Sequence, residues 1–204
     1  MSATGLRVVK VGGSLLGAEG LPERLGDWLD ELLDGPCVLV AGGGGMVDEL
    51  RRLDKLRPLG EAAAHWAAIS IMDVTAWLLA TWLQFDVTSD YATLQDRLYE
   101  AEEPIVFAPG RFLREVEPKL LGTRLAKTWE VTSDSIAVRL GTVLLADEVV
   151  LLKAAPPETG PLTESGSLRA KEQQVEQLVL SGYLDSFLPR LVGEAPPIRI
   201  AWLP

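Results

Sequence analysis

The chain is poor in the residues that most often announce a chemistry. Of its 204 residues, one is cysteine (Cys37) and one is histidine (His65). A single cysteine rules out an internal disulfide framework. Its place in the apolar run Cys37-Val38-Leu39-Val40 reads as a buried, reduced core residue. No Cys/His/Asp spacing of a zinc or iron site is present. The nucleophile-elbow pattern Gly-x-Ser-x-Gly is missing, and so is the phosphate loop Gly-x-x-x-x-Gly-Lys-Ser/Thr. Positive charge is also short: 19 Lys and Arg stand against 29 Asp and Glu, a formal net charge of −10. That balance argues against nucleic-acid backbones and anionic membranes as main partners. No internal repeat or low-complexity tract is found, and the length suffices for a sizeable core, so one domain over 1–204 is expected. No signal peptide precedes the first apolar run, which points to the cytoplasm.

One long hydrophobic run is present, from Ala62 to Leu83. Its length would let a helix cross a bilayer. It contains His65, Asp73 and several hydroxyls, and no basic flank follows it. A central aspartate is costly in lipid, so the run reads as a buried helix of a soluble protein.

Elsewhere strand and helix patterns alternate. Short apolar runs at Leu6–Val11, Cys37–Ala41, Ile105–Ala108, Glu148–Lys153 and Ile198–Trp202 read as strands. Between Leu21 and Asp34, Leu21, Leu25, Trp28, Leu29, Leu32 and Leu33 share a helical face, while Glu23, Asp27, Asp30 and Glu31 face water. Further helices are expected at Met46–Leu56, Glu61–Phe85, Ser133–Leu145 and Lys171–Ser181, with a helical turn near Asp185–Leu191 and a loop over Ala154–Leu168. Buried strands separated by helices imply an α/β fold, a three-layer αβα sandwich around a mostly parallel sheet. In such sheets ligands bind beyond the carboxyl ends of the strands. Those ends are Lys10-Val11-Gly12-Gly13, Ala41–Gly45, Ala108-Pro109-Gly110 and Lys153-Ala154.

Two of these ends are rich in glycine and two carry lysine. In Lys10-Val11-Gly12-Gly13-Ser14 a strand delivers a fixed cation and a flexible, amide-rich loop, as phosphate binding requires, although a plain strand-to-helix turn could use the same residues. Gly42-Gly43-Gly44-Gly45 is costly in backbone entropy, and a ligand lying against the backbone explains such a run better than a bare turn. Lys10 and Lys153, singly, could be solvated strand ends; as a pair flanking glycine loops they read as cations aimed into the crevice. Thr132-Ser133-Asp134-Ser135 opens an apolar helix and reads as an N-cap with an acid in its first turn. An aspartate at that mouth could also hold two lysines by charge-assisted hydrogen bonds.

Taken in order, Lys10-x-Gly12-Gly13-Ser14, Gly43-Gly44-Gly45, Thr132-Ser133-Asp134-Ser135 and Lys153 resemble the amino acid kinase family. The resemblance runs from Leu6 to Lys153, and Glu172–Trp202 is compatible with the family's last helix and strand. Three phrases, Gly43–Arg51, Ala64–Ile69 and Thr132–Ala137, look like the small branch that holds the aminomethylfuranmethanol phosphate kinase of methanofuran biosynthesis. The resemblance implies ATP and Mg²⁺ as cofactors and a small phosphate-bearing acceptor, with a homo-oligomer (dimer or higher) as the working form. It implies that Lys10 and Lys153 contact the transferring phosphoryl group and that Asp134 orients both. Gly12, Gly13, Ser14, Thr132, Ser133 and Lys153 would hold the nucleotide. Gly43, Gly44 and Gly45 would hold the acceptor, with His65 on its phosphate and Asp48 suited to its amine. Open alternatives are another acceptor (a nucleoside or isoprenoid monophosphate, or an amino acid) or a non-catalytic nucleotide- or anion-binding protein. The chain departs from the family after Lys153. There Ala154-Ala155-Pro156-Pro157 replaces an acidic, glycine-bearing loop that helps cradle the nucleotide.

Overall fold

A computed structural model of the chain describes residues 5–32, 34–157, 167–169 and 172–203. The elements run β1 (Arg7–Val11), α1 (Leu21–Leu32), β2 (Cys37–Ala41), α2 (Gly44–Leu56), α3 (Glu61–Leu83), β3 (Val87–Thr88), α4 (Tyr91–Arg97), β4 (Ile105–Phe107), α5 (Gly110–Glu115), α6 (Ser133–Val143), β5 (Glu148–Lys153), β6 (Ser167–Arg169), α7 (Glu172–Leu180) and β7 (Ile198–Trp202). The strands form one seven-stranded sheet in the order β3-β4-β2-β1-β5-β7-β6. Every pairing is parallel except β6 with β7. The expected α/β architecture with a mostly parallel sheet is therefore the observed one.

The alternation of side chains along each strand divides the core in two. Val8, Val38, Val40, Phe107, Val149, Leu151 and Ile200 face one layer with Ile136, Ala137 and Leu140 of α6. Val9, Val11, Leu39, Ala41, Val106, Val150 and Leu152 face the other with Leu21, Leu25 and Leu29 of α1. The strands at the sheet's centre are mostly apolar because both faces are covered. By the same alternation Lys10 and Lys153 lie on the α6 side. β1 and β5 pair with Lys10 opposite Leu151 and Val11 opposite Leu152, so the two lysines end neighbouring strands on one face.

Several expectations needed correction. The apolar helix α3 is not buried all round. It buries Ala64, His65, Ile69, Met72, Thr75, Ala76, Leu79 and Ala80, and it contributes to both cores. Val74, Trp77, Leu78 and Trp82 are exposed on its outer side. Its central Asp73 accepts a hydrogen bond from the Gly110 amide at 2.8 Å and so caps α5. Three short elements, β3, α4 and α5, carry too few residues to show a period, and none was expected. Asp90 caps α4 by accepting from the Ala92 amide at 3.1 Å. The expected loop over Ala154–Leu168 lies outside the described residues at 158–166, and its end already belongs to the edge strand β6. Leu33, expected on the buried face of α1, also lies outside the described residues.

Candidate active site

Beyond the carboxyl ends of β1 and β5, Lys10 and Lys153 meet the first turn of α6. Lys10 Nζ lies 2.9 Å from one carboxylate oxygen of Asp134. Lys153 Nζ donates to the other at 2.7 Å and to the Tyr183 carbonyl at 2.9 Å. Lys10 and Asp134 are 5% and 3% exposed, so these charges are held largely out of water. One buried carboxylate thus holds both ammonium groups, one on each oxygen. An ammonium has three N–H donors, so Lys10 can serve Asp134 and still donate to a ligand.

Burial opposes the charge on Asp134, but the two ammonium groups outweigh it and bring the carboxyl down to about 2. Burial is also the larger influence on Lys153. With repulsion from Lys10 it overcomes the attraction of Asp134 and lowers the ammonium to about 8. Two cations share one anion in a partly dry site, so the trio carries an excess positive charge that an incoming anion would neutralise.

The two glycine loops meet beside this trio. A Cβ on Gly13 would lie 2.3 Å from the Gly44 nitrogen, and one on Gly44 would lie 2.5 Å from the Gly13 carbonyl oxygen. Gly44 also has φ +56°. A Cβ on Gly42 would lie 2.7 Å from the Gly13 nitrogen and 3.1 Å from Ser133 Oγ. Gly12 donates to the Leu152 carbonyl at 2.8 Å, which closes β1 onto β5. Much of the glycine run is therefore required by the approach of one backbone to another. Gly45 is exposed, with nothing near its Cβ position.

A cavity of about 200 Å³ opens where the loops meet. Gly13, Ser14, Thr132 and Ser133, expected on the nucleotide side, line it together with Gly43, Gly44, Asp48 and His65, expected on the acceptor side. Gly45 is not part of its wall. Asp48 is exposed at the rim and accepts from Arg51 at 2.8 Å. His65 is buried, and its Nδ1 lies 3.2 Å from the Thr128 carbonyl oxygen. A carbonyl can only accept, so Nδ1 is assigned the proton. Burial holds the imidazole below its usual range, with Lys127 and Arg114 acting in the same direction against the Thr128 bond. In the neutral ring Nε2 is then an acceptor. A hydrogen bond to an acceptor's phosphate would need a second proton there.

Residues with no expected role also stand in or near the site. Arg51 and Trp129 line the cavity, with the guanidinium 5.2 Å from the ring centroid. Asp54 fixes the Trp129 indole N–H at 3.1 Å. Arg51 could have been read from its place one helical turn after Asp48. From across the sequence Asp185 reaches α6 and Tyr183 reaches Lys153, and no local pattern announces them. Thr132, the N-cap of α6, makes no side-chain cap bond. The first turn is capped instead by Asp185, which accepts from the Thr132 and Ser135 amides at 3.1 and 2.8 Å.

A parallel sheet that ends in a clamped lysine pair, with amide-rich loops closing on a small cavity, is an arrangement that can receive and neutralise anionic groups. The chain is a member of the amino acid kinase family, whose family model matches residues 5–156. It is 29% identical over 150 residues to the [5-(aminomethyl)furan-3-yl]methyl phosphate kinase of Methanocaldococcus jannaschii, a match that covers 72% of this chain and 64% of that protein. Among solved structures it is similar to a uridylate kinase from Archaeoglobus fulgidus, with a TM-score of 0.64 and 15% identity over 96% of this chain and 90% of the other. It is also similar to the carbamate kinase of Giardia lamblia bound to AMP-PNP, with a TM-score of 0.53 and 11% identity over 99% of this chain and 100% of the other. These two likenesses are of fold.

Proposed function

We propose that the protein is a phosphotransferase that moves the γ-phosphoryl group of ATP to a small acceptor already carrying a phosphate, favouring [5-(aminomethyl)furan-3-yl]methyl phosphate. The observation that carries this reading is the Lys10–Asp134–Lys153 clamp. An acceptor phosphate is ionised at neutral pH, so no general base is needed. Its oxygen forms the new bond to the γ-phosphorus, the bond from that phosphorus to the bridging oxygen breaks, and ADP leaves. The protein's task is to position two anions and offset their charge. Lys10, with donors beyond the one facing Asp134, suits the transferring group. Lys153 suits the bridging side, and the amides of the two loops suit the remaining oxygens.

Among the described residues no group of three or more His, Cys, Asp or Glu side chains gathers to hold a metal. Mg²⁺ would therefore come with the nucleotide, carried by its phosphates, and would supply further neutralisation of charge. The acceptor's identity is supported by the similarity to the M. jannaschii kinase and by the cavity. Val47, Ala68, Ile69, Met72 and the fixed Trp129 offer an apolar wall to a small flat ring. Asp48 at the rim suits a protonated amine. The cavity's volume of about 200 Å³ suits an acceptor of this size.

ADP release measured with ATP, Mg²⁺ and a panel of phosphomonoesters tests the reading. Turnover is expected to be highest with the aminomethylfuran phosphate. Nucleotide binding without ADP release on any acceptor would make the protein a binding module on the same fold.

A further inference from the structure

We propose that Asp185 is a positioning residue for the lysine pair, tying the first turn of α6 to the 183–188 segment and so fixing both groups that hold Lys153. The proposal leans on the phosphotransferase reading only for its kinetic test.

Asp185 is 8% exposed and lies 51 residues beyond Asp134 in the chain. It accepts five hydrogen bonds: from the Thr132 amide at 3.1 Å, the Thr132 hydroxyl at 2.9 Å, the Ser135 amide at 2.8 Å, the Leu188 amide at 3.0 Å, and the Ser135 hydroxyl. Four of these come from the residues on either side of Ser133-Asp134. The fifth closes its own turn. Two residues before it, the Tyr183 carbonyl accepts from Lys153 at 2.9 Å, and the Tyr183 hydroxyl donates to the Ala155 carbonyl at 2.6 Å. One carboxylate thus joins the helix that supplies Asp134 to the segment that supplies the other acceptor for Lys153.

A plain helix cap does not need this arrangement. The Thr132 side chain could cap α6 from within the helix's own sequence, yet its hydroxyl is turned to Asp185. Placing a second buried carboxylate near Asp134 is also costly. Burial and the Asp134 charge both push the Asp185 carboxyl up, against the bonds from Ser135 and Thr132. What the arrangement adds is charge. Lys153 faces Asp134 from α6, Lys10 from β1, and Tyr183 with Asp185 from the segment after α7. With Asp185 ionised, Lys153 has a second anion nearby that favours its protonated form before any anion arrives.

Two substitutions separate geometry from charge. Asp185→Asn removes the charge and turns an amide N–H toward backbone donors. Asp185→Glu keeps the charge but cannot keep all five bonds. The Lys153 titration is followed by lysine-selective ¹³C NMR on nucleotide-free protein, with the signal assigned through Lys153→Arg. In Asp185→Asn its midpoint should move down by about half a pH unit or more, since an opposite charge has been lost. In Asp185→Glu the midpoint should stay, while turnover with ATP and the best phosphomonoester falls about tenfold or more and the KM for ATP changes little. An unmoved midpoint in Asp185→Asn, or wild-type turnover in Asp185→Glu, would overturn the proposal. If Asp185→Asn fails to fold, Asp185→Glu alone decides. The NMR arm needs no turnover, so an inactive wild-type protein would remove the kinase reading and leave this one standing or falling on the titration.

Discussion

At the scale of single residues, the centre of the site could be read from the chain because its parts sit where a strand period ends. A lysine closing an otherwise apolar strand is unusual enough to notice twice, and Asp134 stands at a recognisable helix start. Each then acts through a partner far away in sequence, and that partnership sets the expected effects. Lys10→Ala leaves Asp134 paired with Lys153, so the fold should persist by circular dichroism while turnover drops on the order of 10²-fold or more. A folded Lys10→Ala protein with near-normal turnover would remove the central claim. Asp134→Asn keeps shape but leaves two buried ammonium groups facing each other without their shared anion. Turnover should fall strongly and nucleotide affinity only modestly, because misplacement costs the transition state more than the ground state. If Asp134 were only part of a helix cap, asparagine would serve as well and turnover would hold. The lowered Lys153 pKa gives a pH prediction with a definite sign. The ammonium is charged below about 8 and neutral above it, so kcat/KM for ATP should decline as pH rises through that value. Lys153→Arg stays charged and should shift the decline upward. An identical alkaline limb in both proteins would show that another group titrates.

At the scale of elements, the glycine run shows what a sequence can and cannot say. Four glycines after a strand were expected to make room for a ligand lying against the backbone. The thing that approaches is in large part the other glycine loop, at Gly13, which pairs with Gly42 and Gly44 across 28 or more residues of chain. Contact between two loops leaves no periodic trace, so a ligand was the simpler expectation. The difference is measurable. Gly44 has φ +56° and no room for a Cβ, so Gly44→Ala should displace both loops and weaken nucleotide and acceptor binding together in separate titrations. Gly45 lies in α2 with open space around it. There Gly45→Ala should leave both affinities unchanged and stabilise the protein by roughly 0.5–1 kcal/mol, seen as a higher Tm. Loss of acceptor binding in Gly45→Ala would restore the acceptor role first expected of that residue. The cap of α6 belongs to the same class. A Thr-Ser-Asp-Ser phrase marks a helix start reliably, but a carboxylate fifty residues downstream that does the capping is visible only in three dimensions.

At the scale of the whole molecule, α3 is where composition and fold pull apart. A helix apolar on every side belongs in a core or against a partner. In this chain one side is covered by the sheet and its neighbours. On the other, Val74, Trp77, Leu78 and Trp82 are 51%, 58%, 37% and 40% exposed. Their spacing of three, four and eight residues places them on one stripe. Two tryptophans in a continuous stripe are more apolar surface than a monomer usually leaves to water, and the chain's net charge of −10 opposes docking on an anionic membrane. The homo-oligomer that the family resemblance implies would cover this stripe with a second copy of the chain. Sedimentation velocity at micromolar concentration should then show a dimer or larger species for the wild type. Trp77→Glu combined with Trp82→Glu should shift it to the monomer, because burying two carboxylates at a self-facing stripe opposes association twice over. The same variant should keep its melting cooperative, since neither side chain enters the two cores. A wild-type protein that sediments as a monomer at that concentration would leave the stripe without a self-partner and overturn the expectation of an oligomer.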